Sequence, residues 1–305
     1  MQDDGRDDVA ILVSTVPATC AAVFTRSRFA GASIALSREA GRAGNARGVV
    51  VLARNANVAT GAAGAADAAE IRDRVASIVG IPAGELLIAS TGVIGRRYPM
   101  AAVRQHLDSV KWPVEGSDFA AAARTIMTTD THPKLHTARV GEARIVGIAK
   151  GVGMIEPDMA TMLAFVCTDA EIGPEQLDRT FRRVVDRTFN SVSIDTDTST
   201  SDTAAIFANG LAGPVDAEAF EEALSQVCLA LVRDIASDGE GAGRLIVVEV
   251  RGARDDAQAR RVGKSIVNSP LVKTMVHGGD PNWGRVTMAI GKCQDDLDIE
   301  ADRVR

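Results

Sequence analysis

The chain has 305 residues, 46% hydrophobic and 24% charged, ordinary proportions for a globular protein with one large or two modest cores. A net charge of −6 argues against the concentrated basic face of a nucleic-acid binder, and no apolar run approaches the length of a membrane span. Aromatic residues make up only 4%, so the core must rest on Ala, Val, Ile and Leu.

The first eight residues are acidic and lack the basic-then-apolar pattern of a signal peptide, which predicts a cytoplasmic protein. Val49-Val50-Val51-Leu52-Ala53 is a continuous apolar run suited to a buried strand. The Gly- and Ala-rich residues 59–69 read as a loop. A helix follows from about Asp67, with Ile71, Val75 and Ile78 on one face and Gly80 as its stop. Leu86-Leu87-Ile88-Ala89 is a strand running into a Ser/Thr/Gly turn, and Met162 to Val166 is another strand. Leu177, Phe181, Val184, Val185 and Thr188 mark an amphipathic helix. So do Phe220, Leu224, Val227, Leu231 and Ile235, with Asp216 as the cap. Leu245 to Val250 reads as a last strand. This alternation predicts an α/β protein, and there is no internal repeat or low-complexity linker.

Cys20, Cys167, Cys228 and Cys293 are far apart and make no metal-ligand spacing, so reduced thiols are expected. His132 and His136 are four apart, but Pro133 between them argues against a helical metal pair. Neither a metal site nor a cofactor is expected. The run from Asp195 to Thr203 faintly mimics a calcium loop without its Gly and terminal Glu, and reads instead as a hydrogen-bonded buttress. Asp280-Pro281-Asn282-Trp283-Gly284-Arg285 reads as a structural turn anchored by its Trp.

Residues 150–165, Lys-Gly-Val-Gly-Met-Ile-Glu-Pro-Asp-Met-Ala-Thr-Met-Leu-Ala-Phe, carry the chemistry. They set Thr161 after the small Ala160, at the end of a Gly- and Pro-punctuated loop. A threonine there can attack the preceding carbonyl, pass through an ester and emerge after hydrolysis as a new N-terminal threonine. Its hydroxyl and amine then sit on one residue, as nucleophile and base. The plain alternative is a buried Thr opening a core strand. Thr91-Gly92 is an oxyanion candidate, because Gly lets a backbone N–H approach and the Thr hydroxyl adds a donor; it is equally an ordinary turn. Lys150 can hold a carboxylate, or bias a nearby amine toward neutrality by like-charge repulsion; it is equally a solvated surface lysine. Glu240, between Gly239 and Gly241, can reach into a cleft or simply end a helix.

This segment resembles the self-cleavage motif of the ornithine acetyltransferase (glutamate N-acetyltransferase) family. Ser90-Thr91-Gly92-Val93-Ile94-Gly95, Met127-Thr128-Thr129-Asp130-Thr131, Asp197-Thr198-Ser199-Thr200-Ser201-Asp202-Thr203 and Gly279-Asp280-Pro281-Asn282-Trp283-Gly284-Arg285 look like further family blocks, in the family's order. Asn55-Ala56-Asn57-Val58-Ala59-Thr60-Gly61 and Ser193-Ile194-Asp195-Thr196-Asp197 look closer to the paralogue of clavulanic-acid gene clusters than to the arginine-biosynthesis enzyme.

The resemblance implies a layered sandwich of sheets and helices of N-terminal-nucleophile type, self-cleaved into an α chain of 1–160 and a β chain of 161–305. It implies ping-pong transfer of acetyl between N-acetylornithine and glutamate through acetyl-Thr161, with ornithine and N-acetylglutamate as products, in an α2β2 assembly. It matches Thr91 and Gly92 to the oxyanion pair. It matches Thr128 (or the adjacent Thr129), Lys150, Thr161 and Glu240 to substrate-binding residues. Both termini look short against the family pattern, and the C-terminal tail that supplies an Asn and a Thr to the substrate site has no counterpart, which implies a weakened grip on the amino acid. Two rival readings remain at this point: an amidohydrolase or aminopeptidase of related fold that releases the acyl group to water, and an inactive remnant.

Overall fold

The computed structural model describes residues 5, 7–113, 117–154 and 162–304. The expected cleavage pair, Ala160 and Thr161, lies outside the described residues. The described elements are β1 (Val9–Val13), β2 (Thr19–Phe24), α1 (Ala32–Arg42), β3 (Gly48–Leu52), α2 (Gly61–Val79), β4 (Leu86–Ser90), α3 (Met100–Ser109), α4 (Phe119–Thr125), β5 (Lys134–Val140), β6 (Ala143–Lys150), β7 (Leu163–Glu171), α5 (Pro174–Arg187), β8 (Thr203–Pro214), α6 (Ala217–Ser237), α7 (Asp256–Val267), α8 (Pro270–Gly278) and α9 (Gly284–Ile290).

Among the described residues the strands form two sheets, ordered β1-β3-β4 and β2-β8-β7-β6-β5. β3 runs parallel to β4 and β7 parallel to β8; the other pairs are antiparallel. Side chains of a strand alternate between faces, and the core divides accordingly. Ala164 and Val166 of β7, with Ala204 and Ile206 of β8, face α5 and α6. Leu163, Phe165, Ala205 and Phe207 face the other way, onto Val49, Val51, Leu87 and Ala89 of the smaller sheet. Val50, Leu52, Leu86 and Ile88 then turn outward onto α2 and α3. The result is four layers, helix–sheet–sheet–helix. The central strands are covered on both faces, which is why Val49–Ala53 reads as an unbroken apolar run. α4 contributes Ala122 and Ala123 to the seam between the sheets, and Ile126 joins them just after its end.

The helices around Leu177 and Phe220 are α5 and α6, and the Asp216 carboxylate caps α6 by accepting from the Ala219 amide at 2.8 Å. Gly80 ends α2 in the left-handed conformation, φ 73°. Three expectations need correction. α2 begins at Gly61, not near Asp67, because its Ala-rich first turns are good helix formers that bury Gly64, Asp67 and Ala68. Leu245–Val250 forms no strand: Val248 and Val250 pack onto the small cluster of α7–α9, while Val247 faces out with no neighbouring ladder among the described residues. Trp283 is 75% exposed and anchors nothing; Arg285 ties that turn, donating from Nη1 to the Leu271 carbonyl and the Thr274 hydroxyl at 2.9 Å each.

Candidate active site

The site lies where the strand ends β4 and β6 meet the turn before β5 and the loop after α6. β4 leaves its sheet at Thr91, whose amide still donates to the Leu52 carbonyl at 3.0 Å. Gly92 follows at φ 127°, and a Cβ there would stand 2.1 Å from the Arg54 carbonyl carbon. Only glycine allows this close crossing of two chains. The crossing is secured by Val93 N to Arg54 O and Ala56 N to Val93 O, both 3.1 Å.

Lys150 ends β6 opposite Leu163, the second residue after Thr161 in the chain. It is 7% exposed rather than a surface lysine, and its Nζ donates to the Thr91 hydroxyl oxygen at 3.4 Å. Because that oxygen is the acceptor, the Thr91 O–H proton remains available to a ligand. Burial pushes the Lys150 ammonium below its ordinary pKa; Asp130 opposes the shift, Lys134 adds to it and Asp202 opposes it.

Asp130 is the hub beneath. Its carboxylate accepts from the amides of Gly151 at 2.7 Å and Thr128 at 3.0 Å, and lies 4.0 Å from Lys150 Nζ. Burial works to raise its pKa, but Lys150, Lys134 and the Gly151 amide outweigh that and hold it below the usual carboxylate range. Across the site the Thr129 hydroxyl donates to Glu240 Oε1 at 3.3 Å, and the Glu240 amide donates to the Val152 carbonyl at 3.3 Å. Thus Lys150 and Glu240 flank one stretch, Gly151-Val152-Gly153, and Thr91 with Gly92 joins the group through the Lys150 ammonium. Thr128 lends its amide to Asp130, and the hydroxyl that meets Glu240 is that of Thr129.

The Asp195–Thr203 run buttresses the same region. Asp195 accepts from the Met154 amide, the Thr200 carbonyl from Gly31 N at 2.9 Å, and the Ser199 carbonyl from the Thr25 hydroxyl at 2.6 Å. Asp202 is 3% exposed, and its two carboxyl oxygens make no hydrogen bond. Burial raises its pKa well above the carboxylate range; the nearby Ser199 hydroxyl, Met162 amide, Thr25 hydroxyl and Lys150 ammonium offset only part of this. Asp130, Lys134, Asp238 and Asp202 are absent from the sequence-based list, because nothing in one sequence marks a charge as buried. The sole signal was their place inside or beside the quoted blocks.

A model of the ArgJ family matches residues 1–305. The chain belongs to the ArgJ family. Glutamate N-acetyltransferase Oat2 of Streptomyces clavuligerus is 68% identical to it over 304 residues, 100% of this chain and 77% of that protein. The arginine biosynthesis bifunctional protein ArgJ of Rhodococcoides fascians is 60% identical over 307 residues, 100% of this chain and 75% of the relative. The higher of these identities, to the Streptomyces clavuligerus protein, agrees with the finer resemblance drawn from the Asn55 and Ser193 blocks. Among solved structures, ornithine acetyltransferase of Mycobacterium tuberculosis complexed with ornithine matches at 27% identity and a TM-score of 0.39, covering 50% of this chain and 83% of that one. Among the described residues no helix is long and apolar enough to cross a membrane.

Proposed function

We propose that this ArgJ-family chain is a self-processing acetyltransferase that moves acetyl from N-acetylornithine to glutamate, and back, through an ester on Thr161. The observation that carries this reading is the buried Lys150 ammonium 3.4 Å from the Thr91 hydroxyl, beside Gly92 and next to Leu163 across the ladder. A hydroxyl donor, a glycine that bares its backbone and a desolvated cation stand at the start of the strand that follows Thr161. The 68% identity to a glutamate N-acetyltransferase supports the choice of reaction.

In processing, the Thr161 hydroxyl attacks the Ala160 carbonyl, and the peptide nitrogen leaves as the new α-amine. Water then hydrolyses the ester, releasing an α chain of 1–160 and a β chain of 161–305. In the first half-reaction the freed amine takes the Thr161 hydroxyl proton while the oxygen attacks the acetyl carbonyl of N-acetylornithine. The Thr91 hydroxyl and Gly92 amide receive the oxyanion. The proton passes to the leaving ornithine amine, and acetyl stays on Thr161. Glutamate's neutral amine then attacks that ester, the bond to the Thr161 oxygen breaks, the amine proton passes through the Thr161 α-amine to that oxygen, and N-acetylglutamate departs. An α-amine has a pKa near 8, and a lysine charge at the start of β7, as Lys150 supplies, would favour its neutral, basic form. Lys150 is the proposed partner of the substrate α-carboxylate and Glu240 of the δ-ammonium of N-acetylornithine, with Thr128 and Thr129 beside them. An α2β2 assembly in the cytoplasm completes the proposal.

The test is transfer from N-acetylornithine carrying labelled acetyl. Label should leave the protein faster when glutamate is added and should appear in N-acetylglutamate. Loss to water at a rate glutamate does not change would mean a hydrolase instead.

A further inference from the structure

Lys134 opens β5 fully buried, at 0% exposure. Its Nζ donates to Asp130 Oδ1 at 2.8 Å and to Asp238 Oδ2 at 2.7 Å. The His132 carbonyl accepts a longer bond at 3.5 Å. Asp238 Oδ2 also accepts from the Thr131 amide at 3.1 Å, and Oδ1 accepts from the Thr131 hydroxyl. Charges therefore alternate along one buried line: Lys150, Asp130, Lys134, Asp238. That line ties three separate pieces of chain together: the turn 128–134, the end of β6 with Gly151, and the end of α6, where Glu240 follows Asp238 by two residues.

A buried ion network is weak evidence for stability, since apolar residues of the same volume often serve a fold as well. What singles out this one is where its other bonds go. Asp130 Oδ1, which holds Lys134, also accepts from the Gly151 amide, Oδ2 faces the Lys150 ammonium, and the Asp238 end sets the loop that presents Glu240.

We propose that Lys134 is a positioning residue of the acetyl-transfer site, locking the Thr128–Thr131 turn to the Glu240 loop and thereby fixing the span between Lys150 and Glu240. This rests on the function proposed above. N-acetylornithine carries an α-carboxylate at one end and a δ-ammonium at the end of its side chain, so a site that grips both must hold its own cation and anion within the span that chain can reach. Lys134 touches neither. It sets the distance through Asp130 on one side and Asp238 on the other. It also repels Lys150, which faces Asp130, Lys134, Asp202 and the Thr91 hydroxyl; removing the Lys134 charge leaves Lys150 holding its proton to higher pH.

The experiment compares wild type, Lys134→Met, Lys134→Arg and Asp238→Asn by KM and kcat for glutamate and N-acetylornithine. Thermal unfolding is followed, together with the pH at which Lys150 becomes acetylated by acetic anhydride, read by peptide mass spectrometry. Lys134→Met should raise KM about tenfold or more, the loss of one contact to a charged substrate group, with a much smaller change in kcat. Its Lys150 labelling midpoint should move to higher pH. Lys134→Arg, which keeps the charge, should keep the midpoint and recover part of the KM. A folded Lys134→Met with lowered melting temperature but unchanged KM and unchanged Lys150 midpoint would overturn the proposal. Should that variant not fold, Asp238→Asn decides, since it keeps Lys134 paired with Asp130: a raised KM supports positioning and an unchanged KM overturns it. Wild type that transfers no acetyl would defeat the functional reading instead, and the Lys150 labelling midpoint would still test the coupling to Lys134.

Discussion

Thr91 accepts from Lys150 and keeps its own proton for a ligand, which gives its hydroxyl a role that backbone geometry alone would not. Loss of one oxyanion donor costs roughly 100- to 1,000-fold in turnover, so Thr91→Ala should lower kcat by that order with little change in KM. Steady-state kinetics check this; a raised KM with normal kcat would make Thr91 a binding residue. Asp202 invites the opposite kind of test. Its carboxyl is buried without a hydrogen bond, and its folded pKa lies above the unfolded value near 3.9. Above the folded value both states are ionised and the burial penalty acts in full; below about pH 4 both are protonated and it vanishes. Asp202→Asn should therefore raise the melting temperature at pH 7, with the gain fading as pH falls toward about 4. An equal shift at both pH values would show that charge burial is not the cause. Neither Asp202 nor Lys134 is legible in the sequence. Burial of a charge is a tertiary property, and a Lys before an alternating strand or an Asp among Ser and Thr has the pattern of solvated residues. Thr91, Gly92 and Lys150 were legible through the blocks they sit in, and the structure brings them together.

At the scale of elements, the β3–β4 pair is held at its exit by one crossing, where Gly92 lies on the Arg54 backbone. Gly92→Ala has no flexible side chain to displace, only backbone at 2.1–2.4 Å, and its φ of 127° is strained for any L side chain. It should lower the melting temperature measurably and displace the proposed oxyanion donor, so kcat should fall even in the folded fraction. A melting curve with wild-type midpoint would contradict this contact. α5 and α6 are legible because the residues they bury repeat at helix spacing, and β3 and β4 because each is a short unbroken apolar run. The start of α2 was missed because a Gly- and Ala-rich stretch suits both a loop and a helix, and packing on β4 decides it. Leu245–Val250 failed as a strand for the complementary reason: a strand needs a partner ladder, which local pattern cannot supply.

For the whole molecule, the four-layer arrangement leaves β7 and β8 parallel and central, covered by apolar layers on both faces. A chain cut before Thr161 should stay assembled, because the second fragment would open within two residues of β7, a strand bonded on both sides to β6 and β8. The fold class followed from the alternation of elements, but the stacking of one sheet on the other did not. It depends on which face of each strand meets which partner, and strands buried on both faces carry no alternation to report it. The central claim is that Thr161 frees itself and then carries the acetyl group. Intact-mass spectrometry of the purified, folded protein, before and after adding N-acetylornithine, tests it most directly. Two fragments, 1–160 and 161–305, with one acetyl group gained on the second after substrate is added, is the predicted result. A single folded chain of 31.9 kDa that persists on long incubation and gains no acetyl would contradict it.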